Sequence, residues 1–254
     1  MQIGDISILA LNDGEFRMPY DFLTNPMPHD ELVGADGVVR LPIGCFLIPG
    51  DEPILIDIGF GPRSNELLTG GALIDALASA GYLPSDIATI ALSHPHPDHV
   101  GWLATPDGEL VFDQAQVVLA RPDWDYFVTD RTGEIADHLH HALTRLGDDG
   151  RITLFDAEHS LGSSVTALPA PGHTPGHTVF VIHDRGERAV LLGDAVHCPQ
   201  QLSNADWGAV GDVDPVLAAR TRTWLQRDLD AHGGVAVGSH FPGLVGSRLL
   251  TTQG

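Results

Sequence analysis

The stretch "ALSHPHPDHVGW", Ala91 to Trp102, places three histidines and one aspartate (His94, His96, Asp98 and His99) within six consecutive positions. Alternate side chains of an extended segment point the same way, so His94 and His96 can converge on one point. Asp98 and His99 lie past the turn and can face a second point nearby. Imidazole together with carboxylate suits zinc, iron or manganese. The apolar run just before it, "IATIALS", reads as a buried strand, which puts the cluster on the loop at the strand's end.

Three more positions of metal-binding type follow the same rule of a polar residue at a strand terminus, where a rigid element can aim it. "PAPGHTPGHT" sets His173 in a Gly/Pro-rich loop after the strand "SSVTALPA". "VLLGDAVH" ends an apolar strand at Asp194, and "VAVGSHFPG" ends the last strand at His240. The remaining histidines read more simply. His138, His140 and His141 fall on a predicted helix, where a solvated face accounts for them, and His29, His159, His183 and His232 have no matching partners. His177 reads as a residue that supports the site without binding metal, and Cys198 as a small buried hydrophobe.

The surroundings predict a layered α/β architecture. "ISILALND" reads as a strand, and residues 14–40 as a long loop with aromatic content. "IGCFLIP" and "PILIDIG", separated by "GDE", read as a hairpin. "SNELLTGGALIDALASAGY" has helical spacing stopped by Gly81, and "RPDWDYFV" and "EIADHLHHALTRLG" read as helices. Two further strands, "HTVFVIHD" and "RAVLLGD", are joined by the tight turn "DRGE". "PVLAARTRTWLQRDLDAHGG" is an amphipathic helix ending at Gly233. No low-complexity linker or tandem repeat divides the chain, so residues 1–254 read as a single domain.

Composition narrows the partners. Lys plus Arg is 13 against 34 Asp plus Glu, a formal charge of −21. Nucleic acid and anionic membranes need a basic footprint, which this chain lacks. A neutral, partly apolar small molecule fits better. Cys45 and Cys198, the two cysteines, make no disulfide framework. The N-terminus has no basic leader, and no run is long and apolar enough to span a bilayer. These features predict a cytoplasmic protein and leave its oligomeric state open.

The pieces "SHPHPDHVGW", "PGHTPGHT", "LLGD" and "GSHFPG", in that order, together with "CFLIPGDEPILIDIGFG", resemble the metallo-β-lactamase-fold hydrolases over most of the chain. The likeness is greatest to the branch of acyl-homoserine lactonases and methyl-parathion-hydrolase-like enzymes. It implies a four-layer αββα sandwich with two divalent cations, zinc first, with iron, manganese or cobalt also accepted. It assigns His94, His96 and His173 to one metal, Asp98, His99 and His240 to the other, and Asp194 to both. Asp57 would orient a ligand by hydrogen bonding. The implied reaction is hydrolysis of a lactone, ester or phosphotriester by a hydroxide shared between the metals, with Asp98 accepting a proton. Lactonases of this branch often carry tyrosine three residues after the bridging aspartate. Here that position is His197, a candidate donor to the substrate or leaving group. An iron-dependent oxidoreductase and a glutathione-thioester hydrolase are the alternatives on the same fold. Trp102 and Phe241 lead the candidates for an apolar pocket wall, ahead of Phe22, Met27, Trp124, Phe127 and Trp207.

Overall fold

Alternation of side chains along the strands sorts the core into layers. In the strand Val38–Ile48, Phe46 and Ile48 join one apolar cluster while Cys45 and Leu47 join another. The same split runs through Ile56 against Leu55, Ala91 against Ile90, and Val118 against Val117 and Leu119. A strand with both faces apolar is buried on both, so this sheet has a layer on each side.

The computed structural model describes residues 1–19, 22–24 and 33–247. Tyr20, Met27, His29 and Arg248 lie outside the described residues. A seven-stranded sheet runs, in spatial order, Ile152–Phe155, Gln116–Ala120, Thr89–Ala91, Ile54–Ile56, Val38–Ile48, Leu9–Pro19 and Leu68–Thr69. Its first four strands are parallel and the rest antiparallel. A five-stranded sheet runs His159–Ser160, Val165–Pro169, Thr178–Asp184, Glu187–Leu191 and Val235–Val237, antiparallel except for the last pair. Between these sheets lies a core that includes Phe46, Ile56, Val118, Phe180, Ile182 and Leu191.

Helices close the outer faces. Leu139, Leu143 and Leu146 of the helix Asp137–Asp148 and Leu73 and Leu77 of Leu73–Ser79 pack on the seven-stranded sheet. Leu225 and Leu229 of Pro215–His232 join the cluster of the five-stranded sheet. The result is the helix–sheet–sheet–helix sandwich that the resemblance implies. The long helix starts where its Asp214 side chain accepts from Leu217 N–H, with Pro215 in the first turn, and stops at Gly233, whose φ is 68°. Asp cap, Pro start and left-handed Gly stop are the expected punctuation.

Two expectations need correction. The helical spacing over residues 64–82 produces a helix only at Leu73–Ser79, and Leu68–Thr69 instead pairs with Glu15 and Phe16 as an edge strand. The two glycines at 70 and 71 break the helical run; a Cβ at Gly70 would fall 2.6 Å from the Asp13 carboxylate. The loop expected over residues 14–40 is in part strand. Leu9–Pro19 and Val38–Ile48 form a long antiparallel pair, from Leu9 opposite Leu47 to Pro19 opposite Val38. Its polar, Pro- and Gly-bearing residues disguise a two-sided β-ribbon, kept in register past a bulge at Asn12/Gly14.

Candidate metal centre

Every candidate ligand stands where a strand ends at one edge of the sandwich. The Thr89–Ala91 strand delivers His94, Val165–Pro169 delivers His173, Glu187–Leu191 delivers Asp194 and Val235–Val237 delivers His240. Pro97 starts a single helical turn, Pro97–Val100, with His96 as its extended cap. The turn rotates Asp98 and His99 away from the line of His94 and His96.

The seven side chains meet. His96 Nδ1 lies 2.9 Å from His94 Nε2 and 3.0 Å from His173 Nε2. On the other side, His240 Nε2 is 3.4 Å from Asp98 Oδ2. Asp194 sits between the two groups. Its Oδ1 lies 3.3 Å from both His99 Nε2 and His240 Nε2, and its Oδ2 lies 3.6 Å from His173 Nε2 and 3.9 Å from His94 Nε2. Each oxygen of one carboxylate therefore addresses a different histidine set.

These atoms have the character of metal ligands. His99 Nε2, His240 Nε2 and Asp194 Oδ1 are buried without a hydrogen-bond partner. An unpaired buried polar atom costs about 1–3 kcal/mol, and three such atoms converging is the pattern a cation resolves. Burial, followed by mutual repulsion among the histidines, holds His94 and His96 well below the ordinary imidazole pKa, so their nitrogens carry free lone pairs at neutral pH. Burial opposes ionisation of Asp194, yet His240, His99 and His197 hold it well below the usual carboxylate range. Neutral imidazoles at His94 and His96 beside an ionised Asp194 suit a divalent metal, while Asp194, against the effect of burial, raises His99 and His240 and favours positive charge on their side of the centre.

Bonds behind the ligands fix their direction. His240 Nδ1–H donates to the Pro42 carbonyl at 2.8 Å, and His99 Nδ1–H to Asp57 Oδ2 at 2.8 Å, which turns each Nε2 toward the centre. Asp57 is thus the orienting group that the sequence suggested, and it adopts a left-handed backbone, φ 56°. His173 Nδ1–H donates to Asp212 Oδ1 at 3.1 Å, and Arg222 donates to Asp212 Oδ2 at 3.2 Å. Burial opposes ionisation of Asp212, but His173 and Arg222 pull its pKa down to about 2. Asp212 and Arg222 escaped the sequence reading, because a buried ion pair 10 residues apart on a loop and a helix has no local signature. His177 accepts from Asp194 N–H at 3.0 Å and supports the bridge from behind. A Cβ on Gly193 would fall 2.8 Å from that ring and 2.9 Å from Ser93 Cβ, at φ 51°, so glycine is required before the aspartate.

Asp123 was also missed. It is buried on the first turn after the Gln116–Ala120 strand and accepts from Thr174 Oγ1–H at 2.7 Å and Gly176 N–H at 2.6 Å, clamping the loop that carries His173. Burial pushes its carboxyl up to about 7. A folded-state pKa above the unfolded value of ~3.9 stabilises the fold at low pH, and that contribution is lost as pH rises through 7. We therefore expect Asp123→Asn to gain about 2 kcal/mol relative to the parent between pH 5 and pH 8, read by urea denaturation at the two pH values.

His197 lies beside the same cluster, with both ring nitrogens buried and without a hydrogen bond. Its Nε2 is 3.4 Å from Asp194 Oδ2, and its ring stacks on His240 at 5.8 Å. Phe22 and Phe16 stand edge-on to His197 and His240 at 6.0 and 5.2 Å, and Phe127 to His96 at 5.7 Å. Trp207 packs in the cluster of Phe16 and Phe22. Trp102 and Phe241 do not form the wall expected of them. The Trp102 indole N–H donates to Asp13 at 2.8 Å, and Phe241 is fully buried in the apolar cluster of the five-stranded sheet. Both are held by core partners that sequence proximity to a ligand does not reveal. Trp124 packs on the outer core with its ring against Gly147. Cys45 and Cys198 form no disulfide and are buried, their thiols raised by burial, Cys198 to about 11. His138, His140 and His141 join no metal-capable group among the described residues.

The family profile of the metallo-beta-lactamase superfamily matches residues 38–240. The chain belongs to this superfamily, and it is a metal-dependent hydrolase. An N-acyl homoserine lactonase of Bacillus sp is 28% identical over 188 residues, 66% of this chain and 69% of that protein. The dizinc quorum-quenching lactonase AidC superposes with a TM-score of 0.83 at 25% identity, covering 99% of this chain and 94% of its own. Hydrolase AbOPH superposes at 0.84 with 24% identity, over 98% of this chain and 91% of its own, a likeness of fold. No helix among the described residues is long and apolar enough to cross a membrane.

Proposed function

We propose that this chain, folded as one domain, is a dinuclear lactonase that opens a lactone ring carrying an apolar substituent, with activated esters as secondary substrates. The observation that carries the reading is Asp194, whose two carboxylate oxygens face two separate histidine groups across one buried centre. His94, His96 and His173 would hold one cation, Asp98, His99 and His240 the other, and Asp194 both. Zinc is the first choice, given the relationship to a dizinc enzyme. When bound there, two such cations would supply Lewis acidity and a hydroxide near neutral pH.

The chain's own groups do the rest. Asp98 Oδ2, already in the cluster, takes up the O–H proton of the collapsing intermediate and passes it to the departing oxygen, so that the products are a carboxylate and an alcohol. Burial lowers the pKa of His197, so its ring is neutral at neutral pH and offers one N–H to the departing oxygen. Phe16, Phe22 and Trp207 give the substrate's apolar part a wall beside His240 and His197, as pockets for small molecules generally do. Histidine at position 197, where lactonases of this branch often have tyrosine, also favours a second reading, hydrolysis of an aryl phosphotriester.

The deciding experiment is metal analysis followed by a screen of N-acyl homoserine lactones, aryl esters and aryl phosphotriesters. Two cations per chain with fastest turnover of lactones is the expected result. Two cations with turnover of phosphotriesters alone would establish the second reading. Iron with oxygen uptake, or hydrolysis confined to glutathione thioesters, would transfer the chain to those chemistries.

A further inference from the structure

Ser93 precedes the first histidine of the motif and is buried. Its backbone N–H donates to Asp57 Oδ1 at 2.8 Å and its hydroxyl to Asp57 Oδ2 at 2.7 Å. The same hydroxyl oxygen lies 3.0 Å from His94 Nδ1 and 3.3 Å from His99 Nδ1. A serine hydroxyl has one proton to give and two lone pairs to accept with. With its proton committed to Asp57, it accepts from His94 Nδ1–H. The His99 Nδ1 hydrogen goes instead to the nearer Asp57 Oδ2, which takes it directly at 2.8 Å.

One carboxylate therefore sets the tautomer of a histidine in each half of the centre, His99 by contact and His94 through one hydroxyl. We infer that Ser93 is a positioning residue that links the two metal sites, relaying the charge of Asp57 to His94 and so raising the basicity of His94 Nε2. The inference rests on the dinuclear reading above. Outer partners of metal-bound histidines act in this way, and their loss commonly weakens metal binding about 10- to 100-fold. Two further facts show that the arrangement is built. Thr178 N–H donates to the Ser93 carbonyl at 2.9 Å, which ties the serine to the opposite sheet, and Asp57 holds a strained left-handed backbone to reach it.

The test is stepwise titration of chelator-stripped protein with Co²⁺, following the visible absorption of each site, for the parent, Ser93→Ala and Asp57→Asn. Alanine deletes one buried oxygen and leaves the backbone bond to Asp57 intact. We expect two resolved steps in the parent. In Ser93→Ala one step should weaken 10- to 100-fold with a changed spectrum, while the other moves less than threefold. In Asp57→Asn both steps should weaken. Thermal unfolding of the stripped proteins reports a purely structural effect separately, since that would move stability without splitting the two steps. Two parental steps with Ser93→Ala indistinguishable from the parent would overturn the inference alone. Equal weakening of both steps in Ser93→Ala would overturn it too. Fewer than two Co²⁺ bound by the parent would overturn the dinuclear reading, and this inference with it.

Discussion

Asp194→Ala should abolish turnover and reduce bound metal to one cation per chain or fewer. The reason is that no other carboxylate among the described residues stands between the two histidine groups. Asp98 approaches His240 and His99 only, at 3.4 and 3.8 Å from their Nε2 atoms. Removing Asp194 leaves each histidine set without the anion that its cation requires, and places several imidazoles around an uncompensated centre. Loss of a single preorganised electrostatic contact typically costs about 10²–10³ in turnover. Losing the element that holds both cations should exceed 10³-fold. Asp194→Asn sharpens the point. The amide is nearly isosteric and keeps the packing against His177, but it is neutral and its nitrogen offers no lone pair to a metal. It should fail almost as completely as alanine. Metal counting by elemental analysis, alongside steady-state hydrolysis of the best lactone, checks both. A variant with two cations and parental turnover would remove the bridging role.

The fold was legible in the sequence chiefly where periodicity and punctuation agreed. Asp214, Pro215 and Gly233 mark the long helix at both ends. The "GDE" turn joins Val38–Ile48 to its antiparallel partner Ile54–Ile56. "DRGE" holds a two-residue turn with φ 50° at Arg185 and 80° at Gly186, the backbone a tight hairpin demands. The seven candidate ligands were legible because their residue types are rare at strand ends and their spacing is local or follows one. The groups behind them were not. Asp212, Arg222, Asp123 and Ser93 act across the chain, by contacts 10 to 53 residues long, and each reads in isolation as an ordinary polar residue. The apolar wall was misplaced for the same cause. Phe16 reaches His240 from a strand that its own polar neighbours disguise, whereas Trp102, three residues from a candidate ligand, turns away to satisfy a buried carboxylate.

That carboxylate, Asp13, carries the largest expected effect on stability. "LNDGEF" reads as a strand running into a turn, yet Asp13 is fully buried and accepts five hydrogen bonds. Oδ2 takes Phe60 and Gly61 N–H, at 2.7 and 3.1 Å. Oδ1 takes Gly71 and Leu73 N–H and the Trp102 indole, at 3.1, 2.8 and 2.8 Å. All five partners are donors, so only an ionised carboxylate serves them all. Alanine would strand three buried and two partly buried donors, at about 1–3 kcal/mol for each buried one, less whatever water and relaxation recover. We expect a loss of about 5 kcal/mol, against about 5–15 kcal/mol for a whole domain. Asparagine should do scarcely better. In either orientation its amide turns N–H toward N–H. Trp102→Phe, which deletes one donor and keeps an aromatic ring in place of the indole, should cost only about 1–2 kcal/mol. The damage would also reach the metal centre. Phe60 and Gly61 follow the loop in which Ile58 N–H donates to the His99 carbonyl at 2.9 Å and Gly101 N–H to the Gly59 carbonyl at 2.6 Å. Gly101 packs there so closely that a Cβ would fall 2.1 Å from the Phe60 carbonyl. Freed from Asp13, that loop no longer fixes Asp57, nor Asp57 the ring of His99. Urea denaturation should thus show Asp13→Ala and Asp13→Asn both shifted far below Trp102→Phe, with metal affinity falling in the same order. A stable Asp13→Asn variant with parental metal content would show that the five donors find other acceptors.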